Sequence, residues 1–350
     1  MGELTLYPWQ QQHWHRLRSY IQQNRIPQAL LFSGPAGQGR RHLAEYYARA
    51  LLCHAPQDEG TPCGACAACK LFDGGTHPDF IAIEPDEPGK AIGIDKVRQL
   101  IVKLALKPQY QAYRVAIFQP ADALNTASAN AFLKCLEEPG ERTCLLLISE
   151  QPARLPATIR SRCQKIVCEI PEREVALRWL RSSGVQEQAE LLLDLAGGAP
   201  LLAQRYAETG IASLRQEYFR AWLQVAEGKT DWLAVAERWH KQEQIELNVV
   251  LAWMAGWLAD IVKCAFRADS AHFANPDLKN SLQGVAERLE LRGVYRFYDR
   301  VLTAKAQLAT QLNQQLMLEQ LLIDWSQLNA HGHYGGSSSS TRYPVAIDQG

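Results

Sequence analysis

Short apolar runs alternate with helically spaced apolar residues through the first half of the chain. Residues 29–33 (ALLFS), 80–83 (FIAI), 113–118 (YRVAIF), 144–149 (CLLLIS) and 165–170 (KIVCEI) are the candidate strands. Between them, residues 41–53, 95–106 and 125–136 carry apolar side chains at helical spacing, and Pro139 is expected to stop the last of these helices. That alternation predicts parallel strands joined by crossover helices: a five-stranded α/β sheet with helices on both faces. Beyond about residue 171 the strand signal vanishes. Residues 172–209 read as two helices, then a third after the break at Gly197-Gly198-Ala199-Pro200, and 211–329 stays helical. Within 249–266, Trp253 and Trp257 lie one turn apart on an apolar stripe, which reads as the core of a helical bundle rather than a cofactor site. From residue 331 periodicity is lost, and the serine-rich end is expected to be disordered. The expected domains are therefore 1–170, 171–210 and 211–330, followed by a tail at 331–350.

Composition narrows the function classes. The chain has 350 residues, 47% of them apolar, enough for two or three cores. Lys plus Arg equals Asp plus Glu at 37 each, whereas a chain that grips nucleic acid alone usually carries a basic excess. Contact with DNA is therefore expected to be local or shared with partners. The first residues do not read as a signal peptide, no window approaches about 18 uninterrupted apolar residues, and nine cysteines suit thiols or metal ligands better than disulfides. These features place the chain in the cytoplasm, with no membrane partner.

Directly after the first strand comes Gly34-Pro35-Ala36-Gly37-Gln38-Gly39-Arg40-Arg41, followed by a helix. The phosphate-loop pattern GxxxxGK[ST] uses glycines to wrap backbone N–H groups around phosphates, a Lys on the β/γ-phosphates and a hydroxyl on Mg²⁺. Gly34, Gly37 and Gly39 keep the frame, but Arg40 replaces the Lys and Arg41 replaces the hydroxyl, bringing a cation to the metal's place. A tight strand-to-helix turn would explain the glycines alone. The strand at 113–118 ends in Gln119-Pro120-Ala121, where an ATPase of this architecture presents acidic residues. With two parts of one site missing, no functional ATP site and no intrinsic ATPase are expected.

Cys53, Cys63, Cys66 and Cys69 are spaced Cx9CxxCxxC, at the end of the helix at 41–53 and in the loop beyond it. Four thiolates at such spacing suit a closed, structural Zn²⁺ site; iron–sulfur ligation and free thiols are the alternatives. His77-Pro78-Asp79 reads as a turn before the next strand rather than a further ligand. The other five cysteines, at 135, 144, 163, 168 and 264, read as small apolar packing residues.

Together these segments resemble the delta-prime family of bacterial clamp-loader subunits, within the AAA+ superfamily. The resemblance covers nearly the whole chain before the tail. It rests on the worn phosphate loop, the four-cysteine insertion, Thr76-His77-Pro78-Asp79, the segment from Asn130 to Pro139 ending in Leu-Glu-Glu-Pro, and Ser161-Arg162-Cys163. It implies an AAA+ domain at 1–170, a helical lid at 171–210 and an oligomerising collar at 211–330. It also implies a rigid subunit in a hetero-pentamer with gamma/tau ATPase subunits and the delta subunit, acting on a sliding clamp and primer-template DNA within the DNA polymerase III holoenzyme. By the same resemblance Arg162 is an arginine finger acting in trans on a neighbour's ATP, with Arg160 as the nearby competitor. Two other readings stay open: an active gamma/tau-like ATPase, which should keep the Lys-Thr and Asp-Glu pairs and a lid arginine near Gly198-Ala199-Pro200-Leu201, and a zinc-dependent nucleic-acid-binding protein, which should carry a basic run around its cysteines.

Overall fold

The computed structural model describes residues 5–57, 60–87, 89–110, 113–138, 140–242, 245–266, 273–308 and 313–332. Pro139 and the tail beyond residue 332 lie outside the described residues. Two compact units divide the chain after Arg205.

The first unit opens with α1 (Gln11–Gln22) and then alternates: β1 (Ala29–Ser33), α2 (Arg40–Leu52), α3 (Ala67–Asp73), β2 (Phe80–Ile83), α4 (Ile94–Leu104), β3 (Arg114–Phe118), α5 (Thr126–Glu137), β4 (Thr143–Ser149), α6 (Ala157–Arg162) and β5 (Gln164–Val167). All five strands pair in parallel in the order β2-β3-β4-β1-β5. Side chains alternate between the two faces of a strand, so both faces of this sheet need cover. Leu30 and Phe32 join one core with Trp14 and Leu17 of α1 and Leu43 and Tyr47 of α2. Ala29 and Leu31 join the other with Leu100 of α4 and Phe132 of α5. The expected α/β class, five parallel strands covered by helices on both faces, is the observed one.

Two local expectations are corrected, and one helix is added. The last strand ends at Val167 rather than 170: the Cys168 N–H gives the final ladder bond to the Ser33 carbonyl at 2.7 Å, β1 has no residue beyond Ser33 to pair with, and the Cys168 carbonyl faces Gly34 at the start of the glycine loop. Cys69 lies on a short helix, α3, and Cys66 caps that helix, rather than both standing in a loop. The helix α1, whose Trp14 and Leu17 enter the first core, was not anticipated.

Three further helices, α7 (Arg173–Ser182), α8 (Ala189–Leu195) and α9 (Pro200–Glu208), follow the sheet. The second unit is helical: α10 (Ile211–Ala226), α11 (Trp232–Lys241), α12 (Leu247–Ala265), α13 (Lys279–Ala286), α14 (Leu291–Gln307) and α15 (Gln314–Gly332). Its core is aromatic. Trp222 of α10 stacks on Trp325 of α15 at 3.8 Å between ring centres, and Trp257 of α12 meets Trp222 at 5.2 Å. Trp253 and Trp257 are both buried, as the apolar stripe predicted. By length and composition α12 could cross a membrane, but it carries a fully buried Asp260 that accepts hydrogen bonds from the Asn275 backbone and side-chain amides at 2.8 Å and from Lys263 at 2.8 Å. The fully buried Arg215 extends this network by donating to Asn275 Oδ1 at 2.5 Å and pairing with Asp277.

Candidate functional site

The glycine-rich loop connects β1 to α2, where a phosphate loop would stand. Its shape is set by the chain's own atoms. At Gly34 (φ 144°) a Cβ would fall 2.1 Å from the Cys168 carbonyl oxygen, and at Gly37 (φ 75°) it would fall 2.7 Å from Leu202 Cβ, so only glycine fits either place. The Gly37 carbonyl accepts from Leu201 N–H at 3.2 Å, which docks the start of α9 on the loop. On the other side, Trp9 Nε1 donates to the Gln38 carbonyl at 3.0 Å and Gln10 Nε2 to the Gly39 carbonyl at 2.8 Å. Trp9 in turn packs edge-on against Trp179 of α7, with ring centres 5.2 Å apart.

The two arginines that replace the phosphate-loop Lys and hydroxyl are both engaged. Arg40 is buried; Nη1 donates to the Ser149 carbonyl at the end of β4 at 3.0 Å, and Nη2 pairs with Glu150 at 2.7 Å. Arg41 lies at the surface between Glu45 at 2.6 Å and Glu84 at 2.8 Å. Across the sheet, the residue after β3 is Gln119, whose N–H donates to the Ile83 carbonyl at 3.0 Å, and Asp122 stands beyond it in a 3₁₀ turn. Sequence reasoning noted the changed charges at 40 and 41 but missed Glu150 and Glu84, which are remote in sequence and carry no local signal.

The cysteine cluster joins the end of α2 to α3. All four sulfurs lie within 4.8 Å of one another, with Cys53 3.6 Å from Cys63 and 3.9 Å from Cys66. A tetrahedron with metal–sulfur bonds of about 2.3 Å requires sulfurs about 3.8 Å apart, so the donor set fits one ion. Backbone N–H groups already point at the sulfurs: Cys63 to Cys53 at 3.4 Å, Cys66 to Cys63 at 3.3 Å and Cys69 to Cys66 at 3.4 Å. Burial would raise the Cys66 thiol, but N–H donors from Cys69 and His54 outweigh it and bring it down to about 6. Burial and the bond to Cys66 push Cys69 up to about 12. A metal ion binding the four sulfurs would displace their thiol protons. His77 is not among the clustered ligands; its Nδ1 accepts from Asp79 N–H at 3.1 Å, forming the expected turn.

Asp79 itself belongs to a second buried pair that sequence reasoning missed. Its carboxylate meets Arg114 Nη2 at 2.8 Å and accepts from Gln109 N–H at 2.9 Å, tying the start of β3 to the segment after α4. Of the other cysteines, 135, 144, 163 and 168 are buried, and burial raises their thiols; Cys264 is half-buried.

Arg162 is the last residue of α6 and is 40% exposed. Nη1 donates to the Thr158 carbonyl at 3.1 Å and Nη2 pairs with Glu137, the last residue of α5, at 2.9 Å. Arg160, on the same helix, has its Nε buried.

Comparison with known proteins finds relatives along most of the chain. A family model described as DNA polymerase III, delta subunit, matches residues 9–171, and its C-terminal counterpart matches residues 211–327. DNA polymerase III subunit delta' of Pseudomonas aeruginosa is 36% identical over 93% of this chain and 99% of its own length. The Escherichia coli K12 subunit delta' is 31% identical over 91% of this chain and 94% of its own. Subunit tau of Bacillus subtilis is 38% identical, but over only 43% of this chain and 26% of its own. Among solved structures, a DNA polymerase III gamma subunit-related protein from Thermotoga maritima aligns with 90% of this chain and 99% of its own at 17% identity, with a TM-score of 0.44.

Proposed function

Because the chain belongs to the delta-prime family of DNA polymerase III subunits, we propose that it is the non-hydrolysing delta-prime subunit of a clamp loader, lending Arg162 to the ATP site of a neighbouring subunit. Its partners on this reading are the gamma/tau ATPase subunits and the delta subunit in a cytoplasmic hetero-pentamer, with the sliding clamp and primer-template DNA reached through the complex. Residues 1–170 form the AAA+ domain, 171–210 the lid and 211–330 the collar. Zn²⁺ held by Cys53, Cys63, Cys66 and Cys69 is structural, since four protein thiolates leave no open coordination position.

The carrying observation is the contrast between the arginines. Arg40 is buried and committed to Glu150 and a carbonyl, and Arg41 is held by two carboxylates, so neither is placed to hold β/γ-phosphates or Mg²⁺. Arg162 sits exposed at a helix end, and a planar guanidinium suits paired contacts with phosphate oxygens. Such a finger can contribute about 10³ to 10⁵ in rate at the site it enters. Arg162→Ala should leave the reconstituted complex assembled, as judged by size exclusion, while lowering its clamp-stimulated ATPase and clamp-loading rates. Unchanged rates would reject the assignment.

A further inference from the structure

α5 and α6 end side by side, and their last residues meet. Glu137 Oε1 accepts from Arg162 Nη2 at 2.9 Å, and the Thr158 carbonyl accepts from Nη1 at 3.1 Å. The guanidinium is thus fixed from two elements, by a backbone oxygen of its own helix and by a carboxylate of the neighbouring one. A guanidinium has more N–H donors than these two contacts use, so its plane is set while donors remain for a phosphate. The two side chains are 40% and 52% exposed, so water screens their attraction. They orient without trapping. Beside them opens a cavity of about 290 Å³ bordered by Pro27, Gln28, Leu136, Ser161 and Gln164.

We propose that Glu137 is a positioning residue for the trans-acting arginine: it holds the Arg162 fork in one orientation before the neighbour's nucleotide arrives, and never touches that nucleotide itself. This deepens the reading of Arg162 as a finger and rests on it. Free rotation of an unheld arginine lowers the fraction of encounters in productive geometry, by about threefold to fivefold for an exposed pair.

The test uses the complex reconstituted with its gamma/tau and delta partners, clamp and primed DNA, with steady-state ATP hydrolysis as the readout. Glu137→Ala should lower kcat about threefold to fivefold with KM for ATP unchanged, and Glu137→Asp should restore most of it. Its unfolding midpoint should equal the parent's, because both side chains are at the surface. In an Arg162→Ala background, adding Glu137→Ala should change nothing further, since a positioning residue acts only through the group it positions. A Glu137→Ala complex that turns over at the parental rate or faster, or a double variant slower than Arg162→Ala alone, overturns the positioning role. An Arg162→Ala complex at full rate overturns the finger reading, and the role of Glu137 with it.

Discussion

Arg40 stands where a phosphate-loop lysine would reach for ATP, yet its two Nη groups are taken by the Ser149 carbonyl and Glu150. A lysine has a single nitrogen and cannot span both. Arg40→Lys should therefore cost about 1.5–3 kcal/mol in urea unfolding, the range for a lost hydrogen bond to a charged group. Combining it with Arg41→Thr should still give no phosphate release from the isolated chain, because Gln119 and Pro120 supply no carboxylate for the metal. Measurable magnesium-dependent turnover in that double variant would show the acidic pair to be dispensable. The sequence made the departures from the motif visible, since Lys, Thr, Asp and Glu have fixed places in it. The new partners were invisible: Glu150 is 110 residues from Arg40 and Glu137 is 25 from Arg162, and neither separation leaves a periodic mark.

Strands and helices were legible wherever burial imposes a rhythm. β1 and β2 were read residue for residue because an apolar run fills each and a clear break bounds it, Gln28 and Gly34 for one and Asp79 and Glu84 for the other. β5 was read too long, because the Cys168 side chain still enters the sheet's core after strand pairing has ended and Ile170 packs against Gly198. α3 was missed because seven residues give too little periodicity, and its start is instead set by the Cys66 sulfur accepting from Cys69 N–H. The cluster's sulfurs bring that helix start to the end of α2, where Arg49 of α2 also pairs with Asp73 of α3. Zinc analysis of the purified chain should return one ion per molecule, whereas Cys66→Ser should leave the ion weakly held and lower the thermal midpoint. Full zinc occupancy with an unchanged midpoint in that variant would remove Cys66 from the ligand set.

Across the whole molecule the two units are stabilised differently, the first by a sheet covered on both faces and the second by stacked tryptophans around a buried polar network. Composition announced the tryptophans but not the network, because a lone aspartate in an apolar helix looks like a surface interruption. Asp260→Ala strips Asn275 and Lys263 of their shared acceptor and should destabilise the second unit by about 1.5–3 kcal/mol, the scale of a lost hydrogen bond to a charged group. Hydrogen exchange should show faster opening of α10, α12 and α13 with the sheet of the first unit unaffected; uniform loosening of both units would contradict their independence.

Gly37 would reject an alanine whether or not a nucleotide ever came near it, since Leu202 stands where the methyl group would go. A polypeptide can thus abandon the chemistry of such a loop one side chain at a time while remaining unable to abandon its outline. Folding constraint alone is enough to keep such glycines, so a motif search that scores them alone does not establish a nucleotide site.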